Sequence, residues 1–256
     1  MTALAHRRLP AVGCEIRDGV AWLTLSRASS GNALDAELLG DLAEACERAD
    51  ADGAANVVVL SAGGRTFSSG LPRTHGWPER HWRDGVEAVA KVTKPVVAAI
   101  QGEAVGWGAA LALACDLRVG SSAAALVLPE ARAGRLPGGG ATQRLARIIG
   151  PARALELVLL GRRLTAREML AWGLLADVVA PGRLAATVAR LAADLASRGP
   201  LALRLAKEAV VRALDLPLDD GVRLEHDLYV LLQTTADRAE GIAAFHARRR
   251  PRFQGQ

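Results

Sequence analysis

The stretch that decides the fold is Lys94-Pro95-Val96-Val97-Ala98-Ala99-Ile100-Gln101-Gly102-Glu103-Ala104-Val105-Gly106-Trp107-Gly108, which runs into the Ala/Leu segment Ala109 to Cys115. Proline lacks an N–H and disfavours helix at the residue before it. Lys94-Pro95 therefore closes the helical pattern of Val86 to Val92. Val96 to Ile100 is short and apolar throughout, which predicts a strand buried on both faces. A glycine-spaced turn follows, and the small residues after it predict a close-packed helix. Upstream, Val57 to Leu60 reads as another buried strand, ended by Ser61-Ala62-Gly63-Gly64. Leu34, Leu38, Leu42 and Ala45 recur at helical spacing, so a helix runs to about Asp50. Cys14 to Ser26 reads as two strands around Asp18-Gly19, a hairpin signal. Downstream, Leu117 to Val119 and Ala125 to Leu128 are short strands. Strands and helices alternate, which predicts an α/β layered domain. From Ala141 the patterns are nearly all helical: 141–148, 151–160, 165–172, 184–197, 200–213 and 218–235, with a basic amphipathic helix from Ala239 to Arg249.

Composition bounds the function. The chain has 256 residues, 50% of them hydrophobic and 23% charged, enough apolar content for a large core and too much for wholesale disorder. The most apolar stretch, Ala104 to Cys115, is about half of what spans ~30 Å of hydrocarbon, so no membrane segment is expected, and no secretory signal is read at the N-terminus. Cys14, Cys46 and Cys115 are widely spaced and form no CxxC pair, which fits a reducing, cytoplasmic setting and predicts neither a disulfide framework nor a zinc site. The net charge of +5 comes from abundant arginine, which fits either an anionic partner or a compositional bias.

Several glycine-rich turns follow predicted strands: Thr66 to Leu71, Gly106-Trp107-Gly108 and Gly138-Gly139-Gly140. Glycine lets backbone N–H groups approach a ligand, and a helix N-terminus adds unpaired donors. Two such donors on one oxygen make an oxyanion hole; taken singly, each turn is simply a turn. Gly106-x-Gly108 is only half of a dinucleotide fingerprint, with Leu111 at the third glycine position. A Gly-x-Ser-x-Gly elbow is missing. His75 and His81 flank Trp77 and Trp82, and with Glu79 they make a weak metal pattern that reads better as a loop. Glu130 follows an apolar strand and Pro129 and precedes a glycine-rich turn. A carboxylate in such surroundings has a raised pKa and can exchange protons with carbon; the competing possibility is a surface acid at a strand end.

These residues, taken in order, resemble the enoyl-CoA hydratase/isomerase family, the crotonase superfamily. The matching pieces are 20–25 (VAWLTL), 32–34 (NAL), 67–70 (FSSG), 94–108, 113–119 (LACDLRV), 128–150 (LPEARAGRLPGGGATQRLARIIG), 173–175 and 240–253 (EGIAAFHARRRPRF). The resemblance implies a spiral of repeated ββα units over residues 1–195 and a C-terminal helical oligomerisation region over 196–256, building a homotrimer or a dimer of trimers. It implies an acyl-CoA thioester as substrate, coenzyme A as its carrier and no further cofactor or metal. By position, the backbone N–H groups of Leu71 and Trp107 would hold the thioester oxygen. Gly70 and Gly106 would let the backbone close on the CoA thioester, and Gly138, at the start of the helix after Pro137, would help place water or substrate. Arg73, and Arg248 and Arg249 in the last helix, would contact the CoA phosphates; the alternative for that helix is a solvated basic tail.

The chain departs from the family at telling places. Family hydratases use two glutamates on one water. Glu130 matches one of them, but the other position holds Ala110. The middle glycine of the usual triple-glycine turn is Trp107, for whose side chain the acyl pocket is a candidate space, and the residue after the first donor is Pro72. One carboxylate and a thioester enolate suffice for a 1,3-proton shift, so Glu130 is expected to act as sole acid/base in double-bond isomerisation. Hydration with Glu103 or His75 replacing the missing acid, decarboxylation, and a catalytically degenerate acyl-CoA binder remain alternatives. Nucleic-acid binding is not expected, because the helix that is basic in RNA-binding relatives carries Asp35, Glu37, Asp41, Glu44, Glu47 and Asp50.

Overall fold

The structure is a computed structural model that describes residues 10–72 and 82–256. Strands β1 (Val12–Arg17) and β2 (Val20–Leu25) form an antiparallel hairpin. Its Asp18-Gly19 turn has positive φ at both residues (51° and 75°), the geometry that matches the twist of a two-residue hairpin. Helix α1 (Ala36–Ala51) begins two residues later than its apolar spacing predicts. Asp35 caps it by accepting from Leu38 N at 2.8 Å, while Leu34 N donates to Gly70 O in a distant loop. Then come β3 (Val57–Ala62), α2 (Trp82–Lys91), β4 (Val96–Ile100), β5 (Glu103–Val105) and α3 (Trp107–Ala114). They are followed by β6 (Leu117–Ser121), β7 (Ala125–Val127), a 3-10 turn (Glu130–Ala133), α4 (Ala141–Ile149) and α5 (Pro151–Leu160). The chain ends with β8 (Arg163–Thr165), α6 (Ala166–Ala171), β9 (Asp177–Val179), α7 (Leu184–Ala196), α8 (Pro200–Arg212), α9 (Leu218–Gln233) and α10 (Ala236–His246).

The strands form two sheets. The larger has the order β1-β2-β3-β4-β6-β9 and is parallel from β2 onward; the smaller has the order β5-β7-β8. Alternate residues of the apolar runs point to opposite faces. Val58, Leu60, Ala98 and Ile100 join the main core with α1 and α3, while Val57, Val59, Val97 and Val119 pack with Leu184, Val188 and Ala192 of α7. The continuous runs are apolar because both faces are covered. The chain steps repeatedly from the large sheet to the small one and then into a helix: β4-β5-α3, then β6-β7 and α4. Ser68, after β3, pairs with Ala104 of β5 to start the same step one turn earlier. This repeat is the ββα spiral that the resemblance implies.

Three short strands, β5, β8 and β9, were not expected from the sequence. Each is three residues long, too short to carry a period, and pairing alone makes it a strand. The last helix also differs: it spans Ala236–His246, so the arginine cluster lies beyond its C-terminus. Arg248 has φ +50°, which breaks the helix. No helix among the described residues is long and apolar enough to cross a membrane.

Candidate active site

The site is built where neighbouring parallel strands of the small sheet end, the place where ligands bind in open α/β sheets. Ser68, β5 and β7 lie side by side. Val105 N donates to Ser68 O (2.9 Å), Val105 is paired with Val127, and Gly106 N donates to Val127 O (2.8 Å). The three chain segments leaving this edge therefore emerge together: Ser69-Gly70-Leu71, Gly106-Trp107, and Leu128-Pro129-Glu130.

Gly70 (φ +82°) and Gly106 (φ +53°) both adopt backbone conformations suited to glycine. A Cβ on Gly70 would sit 2.6 Å from Val105 O and 3.6 Å from Trp107 N, so the first loop is pressed against the start of α3. Trp107 is the first residue of α3, where amides have no partner within the helix. Among the described residues, neither Leu71 N nor Trp107 N has a backbone acceptor. The helix end adds partial positive charge at the same place.

Glu130 opens the 3-10 turn and is buried, only 7% exposed. A Cβ on Gly106 would overlap its Oε1, so the carboxylate rests directly on the backbone that leads into Trp107. Oε2 is buried and has no hydrogen-bond partner among the described residues. Burial pushes the carboxyl pKa up; its own backbone N–H and the charge of Arg135 pull it part of the way back.

A buried carboxylate with one oxygen unpartnered among the described residues, seated at the mouth of a helix whose first amide has no backbone acceptor among them, is equipped to move a proton beside a polarised carbonyl. The family model described as enoyl-CoA hydratase/isomerase matches residues 15–256. The chain belongs to the enoyl-CoA hydratase/isomerase family. It is 39% identical over 253 residues to (E)-benzylidenesuccinyl-CoA hydratase of Thauera aromatica, covering 95% of this chain and 99% of that one. It is 34% identical over 254 residues to 1,2-epoxyphenylacetyl-CoA isomerase of Escherichia coli, covering 94% and 97%. The crystal structure of an enoyl-CoA hydratase from Bacillus anthracis superposes with a TM-score of 0.92 at 35% identity, over 96% of this chain and 100% of that one.

Within this enoyl-CoA hydratase/isomerase frame the other expected residues fall as follows. Ala110 is fully buried, and a Cβ on Gly139 would lie 2.8 Å from its methyl group. Gly138 is not at the start of a helix. Helix α4 begins at Ala141, and Gly138 lies in the turn before it, under the Trp107 ring. The indole thus packs across Gly138-Gly139. Glu103 is exposed and accepts from Arg163 Nε at 2.9 Å. Arg249 is not in the last helix; its guanidinium donates to both oxygens of Glu240 at 2.6 and 2.8 Å. Arg248 is exposed and also lies past the helix end. Arg73, His75, Trp77, Glu79 and His81 lie outside the described residues.

Two residues without an assigned task from the sequence brace the first loop. Asn32, fully buried with φ +53°, donates through Nδ2 to Gly63 O and Thr66 O (both 2.9 Å) and accepts from Arg27 N (3.0 Å). Ser68 donates through Oγ to Asn32 O (2.8 Å) and accepts from Gly70 N (3.2 Å). The signal was present: asparagine tolerates the left-handed region, and a buried amide must be fully partnered.

Proposed function

We propose that this acyl-CoA-processing enzyme stabilises a thioester enolate between the N–H groups of Leu71 and Trp107 and uses Glu130 as its sole acid/base. The thioester oxygen accepts both hydrogen bonds, and charge gathers there as Glu130 removes a proton from the α-carbon of a 3-enoyl thioester. The double bond moves into conjugation, and Glu130 returns the proton at the γ-carbon, so the product is the 2-enoyl isomer. Proton transfer of this kind favours an acid whose pKa lies above the ordinary carboxylate range. The observation that carries the reading is the buried Glu130 carboxylate on Gly106, beside Trp107, with alanine at position 110. Coenzyme A is the only carrier required. The apolar side chains exposed on α8 and α9 support assembly as a homotrimer or dimer of trimers, with residues 196–256 as the assembly region and the cytoplasm as the setting. The deciding experiment supplies 2-enoyl-CoA and 3-enoyl-CoA in deuterated water and follows the products by mass. Isomerisation with deuterium at carbon, abolished by Glu130→Gln, supports the proposal; turnover unchanged by Glu130→Gln rejects it.

Hydration is the second reading, supported by the hydratase name of the 39%-identical relative. It predicts a 3-hydroxyacyl-CoA in the same assay. The aryl-bearing acyl groups in the names of that relative and of the isomerase make aryl-substituted enoyl-CoA esters the first substrates to test.

A further inference from the structure

The Trp107 backbone has a place in the proposed mechanism, but its side chain has none. The ring runs across the 138–140 turn: a Cβ on Gly138 would be 2.6 Å from Cζ2 and 2.7 Å from Nε1, and one on Gly139 would be 3.3 Å from Cε3. Ala110 stands three residues along α3 from Trp107, on the same helix face, and its methyl also closes on Gly139, 2.8 Å from where a Cβ there would sit. The turn is tied from behind. Ala141 N donates to Gly138 O (3.1 Å), and the Arg144 guanidinium donates to Gly139 O (2.7 Å) and to Glu87 of α2 (3.3 Å). Indole, methyl and two glycines therefore interlock with no room for another carbon on either glycine.

We infer that the Trp107 indole is a specificity-determining residue that, with Ala110, Gly138 and Gly139, fills the ground a second carboxylate and its attacking water would need. Protons then pass between Glu130 and carbon while water is kept from adding. This inference rests on the single-acid reading proposed above. It also gives the departures at 107 and 110 one physical cause: a large ring at one position requires a small residue at the other and glycines beneath it.

The test uses the intact chain with phenyl-bearing 3-enoyl-CoA and 2-enoyl-CoA in deuterated water, and reads the ratio of 3-hydroxyacyl-CoA to isomerised product. In the series Trp107→Phe, Trp107→Leu, Trp107→Gly the ratio rises as ring volume is lost. It reaches at least about tenfold above wild type for Trp107→Gly and rises further when Ala110→Glu is added, while Trp107→Phe stays within about threefold. Circular dichroism and CoA affinity identify the folded members, and any folded member smaller than Phe suffices. A flat ratio across the folded variants, or 3-hydroxyacyl-CoA as the main wild-type product, overturns the inference. Glu130→Gln separates the two levels: if deuterium exchange survives it, the base is misassigned, whereas if it stops exchange and the ratio is flat across the series, only the Trp107 inference falls.

Discussion

Gly106 and Glu130 occupy one another's side-chain space: a methyl group on Gly106 would overlap Glu130 Oε1. The site depends on this exclusion. Gly106 has φ +53° and ψ −115°, a conformation that costs a residue with a Cβ about 1–3 kcal/mol. Gly106→Ala strains the turn that aims Trp107 N and evicts the carboxylate together. The expected outcome is a fall in kcat on the order of 10²-fold, comparable to losing one oxyanion donor, with CoA affinity measured by calorimetry changed far less. Turnover close to wild type in a folded Gly106→Ala protein would mean that the carboxylate on Gly106 is not the reacting group.

Glu130 sets a pH dependence whose sign follows from its raised pKa. As a base it must be ionised, so kcat/KM for deuterium exchange should climb with pH through a midpoint above the ordinary carboxylate range. Stability should move the other way. At acid pH the group is neutral in both the folded and the unfolded chain. As pH rises past the ordinary value, the unfolded chain ionises first and folding loses free energy until the raised value is passed. Glu130→Gln removes that loss. Its urea midpoint should exceed that of wild type at about pH 8, with the gap narrowing toward about pH 4; a gap constant across this range contradicts a carboxyl whose pKa burial raises.

Asn32 is the keystone of the loop carrying Leu71. Asn32→Ala leaves Gly63 O and Arg27 N without the partner this side chain supplies, whereas Thr66 O keeps a hydrogen bond from Gln101 Nε2 (3.1 Å); each group left unpaired costs about 1–3 kcal/mol. A loss of roughly 3 kcal/mol in urea unfolding is expected, within that range for a partly relaxed site. Ser68 and Gly70 are hydrogen-bonded to this same segment, so exchange activity should fall by more than the unfolded fraction explains. A variant of unchanged stability would show that the loop is held from elsewhere.

Much of this architecture is legible in the amino-acid sequence. Val57 to Leu60 and Val96 to Ile100 announce buried strands because a sheet covered on both faces leaves no polar alternation, and Asp18-Gly19 announces its turn because both residues tolerate positive φ. Glu130 was legible as an acid between an apolar strand and a glycine turn. Its seat on Gly106 was not, because that contact is set by the pairing of β5 with β7, and Glu103-Ala104-Val105 is too short to reveal a strand. The sequence shows that Ala110 lacks a carboxylate; it cannot show Gly139 closing over the methyl. The arginine run after His246 continues a basic pattern, yet Arg248 turns left-handed and Arg249 folds back to Glu240, so the helix ends where the charge begins.

The C-terminal helices carry the last prediction. Leu218, Val222 and Tyr229 lie at spacings of four and seven on α9 and are 81%, 55% and 61% exposed, with Val210 and Val211 exposed on neighbouring α8. Neither α8 nor α9 has a buried residue, so within one chain these helices cover little of their apolar surface, and patches of this kind mark association surfaces. Burying one Leu or Val side chain contributes about 1.5–3 kcal/mol, and every 1.4 kcal/mol is about tenfold in affinity. The double variant Leu218→Asp/Val222→Asp should therefore weaken self-association by about 10²-fold or more and shift sedimentation equilibrium toward the single-chain mass of 26.8 kDa. Wild type should sediment as a multiple of that mass. A wild-type protein that sediments as one chain at micromolar concentration would sink the proposed assembly and leave these helices needing another partner.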